Sequence, residues 1–289
     1  MYFCSLKINI LNVMDYSGAK LQKNNIQEEF LALIPKSKRG FKSNFNMWSI
    51  FKCIHHKVDI GCPWCKIFID IEELNPPFSW QIVYYYYQKW CEVGIFSQLY
   101  NLFLKANKDI LDLSNLNLDG THTATKKAVE SSGYQKRKSA RTSNILVMTD
   151  AQGILLSIGD VQAGNHHDLF NILPQFSKMV NDIKQLGIET KGIHLNADKG
   201  FDSKRFRRAI QRRGILPNIP KKEYEREGRK VGRKRYFNDK IYKQRVVIEH
   251  FFAWVDSHRT MQTRYEKYDD NWIQLHYLTA LFRLLKKFE

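Results

Sequence analysis

The sequence predicts an α/β protein built on a mixed sheet with helices around it, and three observations predict it. Leu116 and Leu118 alternate with polar residues, as in a half-buried strand. Two apolar runs, Ile145-Leu-Val-Met-Thr149 and Ile154-Leu-Leu-Ser-Ile158, are joined by Asp150-Ala-Gln-Gly153 and read as a hairpin. Beyond them helical periods alternate with short strands. Residues 168–185 carry an apolar helical face of Leu169, Ile172, Leu173, Phe176, Val180 and Ile183. Strand 193–195, helix 203–213 and strand 215–219 follow. This gives an order of elements and leaves open which strands are neighbours.

The remaining segments are helical. Residues 1–44 show little periodicity and are treated as an N-terminal extension, within which Met14 is as good a start as Met1. Trp48, Phe51 and Ile54 follow helical spacing until Gly61 and Pro63 interrupt it. Pro76-Pro77 interrupts again before a helix over 78–92, and another over 96–110 leads into the first strand. Residues 45–110 therefore form a small helical N-terminal domain ahead of an α/β domain spanning 111–289. Residues 272–288 read as an amphipathic terminal helix that packs through Tyr277, Leu278, Leu281, Phe282 and Leu285.

Composition narrows the partners. Lys+Arg 46 against Asp+Glu 29 gives a net charge of +17, which favours a polyanion such as nucleic acid, although a generally basic solvated surface gives the same total. The cations concentrate between Lys199 and Arg245. Arg205, Arg208 and Arg212 repeat at helical spacing, and Lys234 lies in the denser run that follows. A second basic stretch, 121–142, carries Lys126, Lys127, Lys136, Arg137, Lys138 and Arg141 and reads as a loop able to touch DNA. Five cysteines, an odd number, imply reduced thiols in the cytosol. No run is long and apolar enough to cross a membrane; Ile82-Val-Tyr-Tyr-Tyr-Tyr87 is too short. Cys53, His55, His56, Cys62 and Cys65 invite a zinc reading, but their spacing is irregular for common fingers.

Three acids stand out. Asp119 arrives where the Leu116/Leu118 alternation stops and Gly120 follows, so it reads as a strand-end carboxylate, or as nothing more than a turn residue. Asp198 ends another short strand before Gly200. Residues 241–250 lack Gly and Pro and read as one helix, on which Tyr242, Arg245 and Glu249 fall within about a 60° arc at 100° per residue. A phenol, a guanidinium and a carboxylate thus share a face.

Asp119, Asp198 and Glu249, with Tyr242-x-x-Arg245-x-x-x-Glu249, resemble the acidic triad and the Tyr-Arg-Glu signature of insertion-sequence transposases of the IS5/IS4 type, in the DDE superfamily. Gly61-Cys-Pro-Trp64, Asp119-Gly-Thr-His122, Gly164-Asn-His-His-Asp168, Asn196-Ala-Asp-Lys-Gly-Phe201, Glu249-His-Phe-Phe-Ala-Trp254 and Arg264-Tyr-Glu266 resemble its further blocks, in order. The resemblance implies a ribonuclease H-like fold with Asp119 on the first, central strand, Asp198 just after the fourth and Glu249 on a helix packed back on the sheet. It also implies two Mg²⁺ or Mn²⁺ ions held by the three acids, hydrolysis and strand transfer at the element's terminal inverted repeats, a target duplex, a homodimer on DNA, and a nucleoid-associated cytoplasmic location. Tyr242 and Arg245 either position phosphate or serve only packing. His122, His166 and His167 stand near the metals or simply at the surface, and Asp168 caps its helix. One departure is Asp256, where the family often has a Lys seven residues after the Glu. It supports a rival reading, a DNA-binding protein that keeps the scaffold without the chemistry; Arg259 is one candidate to replace the missing cation.

Overall fold

The computed structural model describes residues 23–35, 43–67, 78–126, 129–221 and 236–286. Four helices come first: α1 (Lys23–Leu33), α2 (Met47–Ile60), α3 (Trp80–Glu92) and α4 (Ile95–Ala106). Then follow β1 (Asn115–Thr125), β2 (Gly133–Gln135), β3 (Ala140–Thr149), β4 (Leu155–Ile158), β5 (Gln162–Ala163), α5 (Ile172–Gln185), β6 (His194–Ala197), α6 (Lys204–Arg212) and β7 (Leu216–Asn218). The chain closes with α7 (Asp239–Lys243), α8 (Val246–Ser257), α9 (Arg259–Gln262), β8 (Thr263–Arg264) and α10 (Asp269–Lys286).

The sheet runs β2-β3-β1-β6-β7, with β4 and β5 also on β3 and β8 beside the end of β1. β1 and β3 are antiparallel, whereas β6 is parallel to β1 and β7 to β6. The sheet is mixed, as expected, with β1 at its centre. The strand before Asp198 is sixth rather than fourth because β2 and β5 are short additions. Two expectations need correction. Asp119 is not at a strand end: β1 continues through Gly120 to Thr125, with Asp119 opposite Val147 and Gly120 opposite Leu146. Gly120 stays extended rather than turning; a Cβ on it would stand 3.1 Å from Asn144 Oδ1. For the same reason 121–142 is no simple loop, since β1, β2 and β3 take up half of it.

Local chemistry sets the helix ends. Asn46 caps α2, its side chain accepting from the backbone of Trp48 and Ser49. Gly61 closes it with φ 74°, and a Cβ there would fall 2.5 Å from Arg259 Cβ. Glycine is needed both for the left-handed conformation and for the approach of α9. α5 starts at Ile172 behind Asn171, so Asp168 does not cap it. Residues 241–250 are not one helix either. Arg245 N–H bonds Tyr242 O, Val247 N–H bonds Gln244 O and Ile248 N–H bonds Arg245 O, so the chain tightens into a 3₁₀ corner between α7 and α8.

The core is continuous from the N-terminal helices to α10. α10 packs on α3 and α4, on α2 and on α8, so it is buried nearly all round rather than on one face. Its polar positions are consequently satisfied internally: Gln274 Oε1 accepts from Ser97 N (3.0 Å), Thr279 Oγ1 donates to His276 O (2.9 Å) and His276 Nδ1 lies 2.9 Å from Trp272 O. Burial pushes the His276 imidazole down to about 4, against its backbone contact with Trp272. Among the described residues no helix is long and apolar enough to cross a membrane.

Two outcomes follow. Gly61→Ala should lower unfolding free energy by roughly 1–3 kcal/mol through backbone strain and the Arg259 contact, measured by urea unfolding. Because the folded pKa of His276 is depressed, its contribution to stability is full above its unfolded value near 6.5 and is lost as pH falls toward 4. His276→Gln should therefore reduce the loss of stability between pH 7 and 4 by roughly 3 kcal/mol, read from unfolding curves at both pH values.

Candidate active site

The site grows from alternation along two strands. Asn115, Asn117 and Asp119 share one face of β1, and His194, Asn196 and, just past the strand, Asp198 share that face on β6. Parallel pairing sets Asn117 beside Asn196 and Leu118 beside Ala197, so the next residue of each chain is Asp119 and Asp198. Adjacent strands lie about 4.8 Å apart, which makes the two carboxylates near neighbours. The apolar side of the alternation is core, as expected. The polar side is not solvent: Asn115, Asn117 and Asn196 are fully buried beneath α7.

Arg245, at the corner between α7 and α8, spans the acids. Its Nη1 donates to Asp119 Oδ2 (2.6 Å) and its Nη2 to Glu249 Oε1 (2.8 Å), one turn along α8. Asp119 also accepts from the Gly120 N–H (2.9 Å). Burial pushes the Asp119 carboxyl up; Arg245 and the Gly120 bond oppose this, and Asp198 adds to it. Burial disfavours the Arg245 charge, but Asp119 above all, with Tyr242 and Glu249, holds its pKa above the ordinary value. The Asp119 arm, with both side chains mostly shielded, is worth more than the Glu249 arm, whose carboxylate is 56% exposed and screened. Asp198 Oδ1 accepts from Lys199 N–H (2.6 Å) in the turn that follows β6. Tyr242 stands beside Arg245, with its ring 5.2 Å from Phe237, and burial pushes its phenol up.

Asp119 and Asp198 are thus neighbours, and Arg245 links Asp119 to Glu249 with Tyr242 beside it. Asp168 joins them: its Oδ2 stands 2.5 Å from where a Gly200 Cβ would be, so Gly200 admits a fourth carboxylate over the turn after Asp198. His122 alternates to the other face of β1 from Asp119, and burial pushes its imidazole down. His166 stacks on Phe170 (3.6 Å between centroids) on the β5–α5 connection.

The cations divide. Lys126 is exposed just beyond β1, and Lys136 and Arg137 are exposed on the turn between β2 and β3. Arg205, Arg208 and Arg212 lie on the exposed side of α6; Arg205 is at the Asp198 end and Arg212 about 10 Å further along at 1.5 Å per residue. Lys127 and Lys234 lie outside the described residues. Arg207 is structural, bonded to Asp202 (2.7 Å) and Ile219 O (2.6 Å), and Arg213 ties α6 to Asn181 and Ser177 on α5. Arg264 is fully buried, donating to Ser143, Asp269 and two carbonyls, and so pins β8 to β3 and to the start of α10. Arg259 packs on Gly61, while the cation facing Asp256 is Lys138, whose Nζ donates to His122 O (2.5 Å).

Among the described residues no group of three His, Cys, Asp or Glu side chains is placed to hold a metal ion. Cys53 and His55 are taken into the core: His55 meets Phe282 edge-on at 4.0 Å, and burial moves the thiol up to about 11 and the imidazole down to about 4. At the acids, the cation lodged between Asp119 and Glu249 is a guanidinium.

The family described as "Transposase DDE domain" matches residues 112–284, well over half of the chain and all three acids. The chain belongs to this family. A putative transposase for insertion sequence element IS402 from Burkholderia cepacia is 29% identical over 126 residues, 43% of this chain and 54% of that protein. The chain thus spans about half the length of this curated relative. A Mos1 transposase paired-end complex with the left transposon end is similar at TM-score 0.28 and 9% identity, over 92% of this chain and 70% of that one, a likeness too slight to support anything further. The family match thus makes residues 112–284 a transposase domain of the DDE type.

Arg245→Met would leave Asp119 half-buried without its counter-charge. The Asp119 carboxyl then rises further above its unfolded value, so the stability it permits is present in acid and lost as pH rises through the folded pKa. The deficit against wild type should reach about 1–3 kcal/mol at pH 8 and shrink at pH 5, measured by urea unfolding at both values.

Proposed function

We propose that this chain binds the terminal inverted repeats of an insertion sequence and catalyses metal-dependent phosphodiester hydrolysis followed by strand transfer into target DNA. The observation that carries this reading is Asp119 beside Asp198 on neighbouring chain segments of the sheet, with Arg245 joining Asp119 to Glu249 from a third element. Adjacent hard-oxygen donors that require a cation suit Mg²⁺ or Mn²⁺. Asp119 would be the shared ligand, with Asp198 and Glu249 each holding one of two ions. Such ions supply an acidified water and neutralise charge on phosphorus and on the leaving oxygen.

The chain's own residues do the rest. Arg245, with five donors in a planar fork, grips the scissile phosphate when it exchanges a carboxylate for a phosphate oxygen, and Tyr242 stands beside it. Lys126, Lys136, Arg137, Arg205, Arg208 and Arg212, with Lys127 and Lys234, carry the flanking duplex. Residues 45–110 serve in binding the element's ends, 111–289 in catalysis, and 1–44 as an extension. The active species is a homodimer on DNA, working at the nucleoid in the cytoplasm. Asp256 favours a second reading, a DNA-binding protein without chemistry; Lys138, from another element, offsets its charge.

The test is a supercoiled plasmid bearing the element's ends, incubated with Mg²⁺ or Mn²⁺ and wild type, Asp119→Ala, Asp198→Ala or Glu249→Ala. Wild type should nick at the ends, and each substitution should abolish nicking while binding persists with a salt slope of about −0.9 per phosphate contact. Wild type that binds the ends and never cuts with either metal would establish the binding-only reading.

A further inference from the structure

α7 has five residues and buries none of its own side chains, so neither its length nor apolar packing keeps it in place. Amide side chains do. Asn196 Nδ2 donates to Ile241 O (3.0 Å) and to Asn117 Oδ1 (3.0 Å), with Asn115 Oδ1 at 3.2 Å. Its Oδ1 accepts from Asn218 Nδ2 (2.8 Å), which also donates to Asn238 O (3.0 Å), while Asn218 Oδ1 accepts from Asn238 N–H (2.8 Å). Asn115 Nδ2 donates to Gln244 Oε1 (2.5 Å). The segment is thus held at its start, middle and end, and the residue after Gln244 is Arg245.

Asn115, Asn117, Asn196 and Asn218 are all fully buried on the sheet face that carries Asp119 and Asp198. Apolar side chains in their place would exclude water equally well but would let the short helix slide. Directional bonds to fixed carbonyls permit one register. We propose that Asn196 is a positioning residue for cleavage: by fixing Ile241 over β6 it sets where the Arg245 guanidinium and the Glu249 carboxylate stand relative to Asp119 and Asp198. The role rests on the cleavage reading above, and it adds a residue that touches neither metal nor DNA.

The experiment uses the full chain with an oligonucleotide duplex bearing one end of the element. Asn196→Ala should lower kcat by about 100-fold, the cost of a misplacement near 1 Å, while KM for the duplex changes by less than about 3-fold. Asn218→Ala, which removes the two bonds to Asn238 and the one to Asn196 but leaves the Ile241 bond, should lose about 10-fold. A role exercised through the corner requires non-additivity: in an Arg245→Ala background, Asn196→Ala should cost little more. Losses that multiply, or a folded Asn196→Ala with the kcat of wild type, would overturn the proposal. Hydrogen exchange provides a readout independent of cutting. Protection should fall in 238–249 and hold in β1 and β6; loss spread through those strands makes Asn196 a core residue only and likewise overturns it. A wild type that never cuts removes the cleavage reading and this role with it, and exchange confined to 238–249 identifies that case, because the network's grip on Arg245 then still stands.

Discussion

Two aspartates side by side on neighbouring parallel strands create the constraint around which the site is arranged. Asp119 lies on a buried face, where desolvation and the adjacent Asp198 both disfavour its charge. A cation must be supplied, and in this arrangement Arg245 supplies it, with Glu249 as its second partner. A guanidinium in this position does two things. It opposes the rise that burial imposes on the Asp119 carboxyl and ties Asp119 to Glu249, and it presents donors that match a phosphate as well as a carboxylate.

That arrangement reaches back into the sheet. The rows that end in Asp119 and Asp198 carry buried asparagines just before them, so these acids and the structural amides form one polar face. Buried amides are costly unless every member finds partners, and here they find them in each other and in the backbone of 238–241. The same bonds that satisfy the sheet therefore aim the corner at Arg245. On the far side, α8 packs Ile248, Phe251 and Val255 into the core beside α10, so Glu249 is held between a polar network and an apolar one.

The helical N-terminal segment is tied to this body through shared packing. Gly61 lets the end of α2 meet α9, buried Lys57 bonds Thr260 at that contact and faces Glu266, and α3 and α4 cover α10. α10 is accordingly surrounded, which explains why its buried face is wider than its sequence period suggests.

The sequence by itself determined the order of the main elements and the mixed α/β class, because period and turn residues are local properties. It also located the basic α6, whose outward arginines follow from helical spacing alone. It misread Asp119 as the end of a strand, since Gly120 is a turn signal in isolation and β1 continues only because β3 pairs with it through Ala124. It read 241–250 as a single helix, since the 3₁₀ corner depends on asparagines some 20 to 130 residues away in the chain. It also took alternation beside Leu116 and Leu118 to mean one wet face. Only the tertiary structure decided that this face is dry, that Arg245 joins Asp119 to Glu249, and that Lys138 stands opposite Asp256. Each of these is a contact between distant segments, and the strand pairing and helix docking that create them leave no period in the chain.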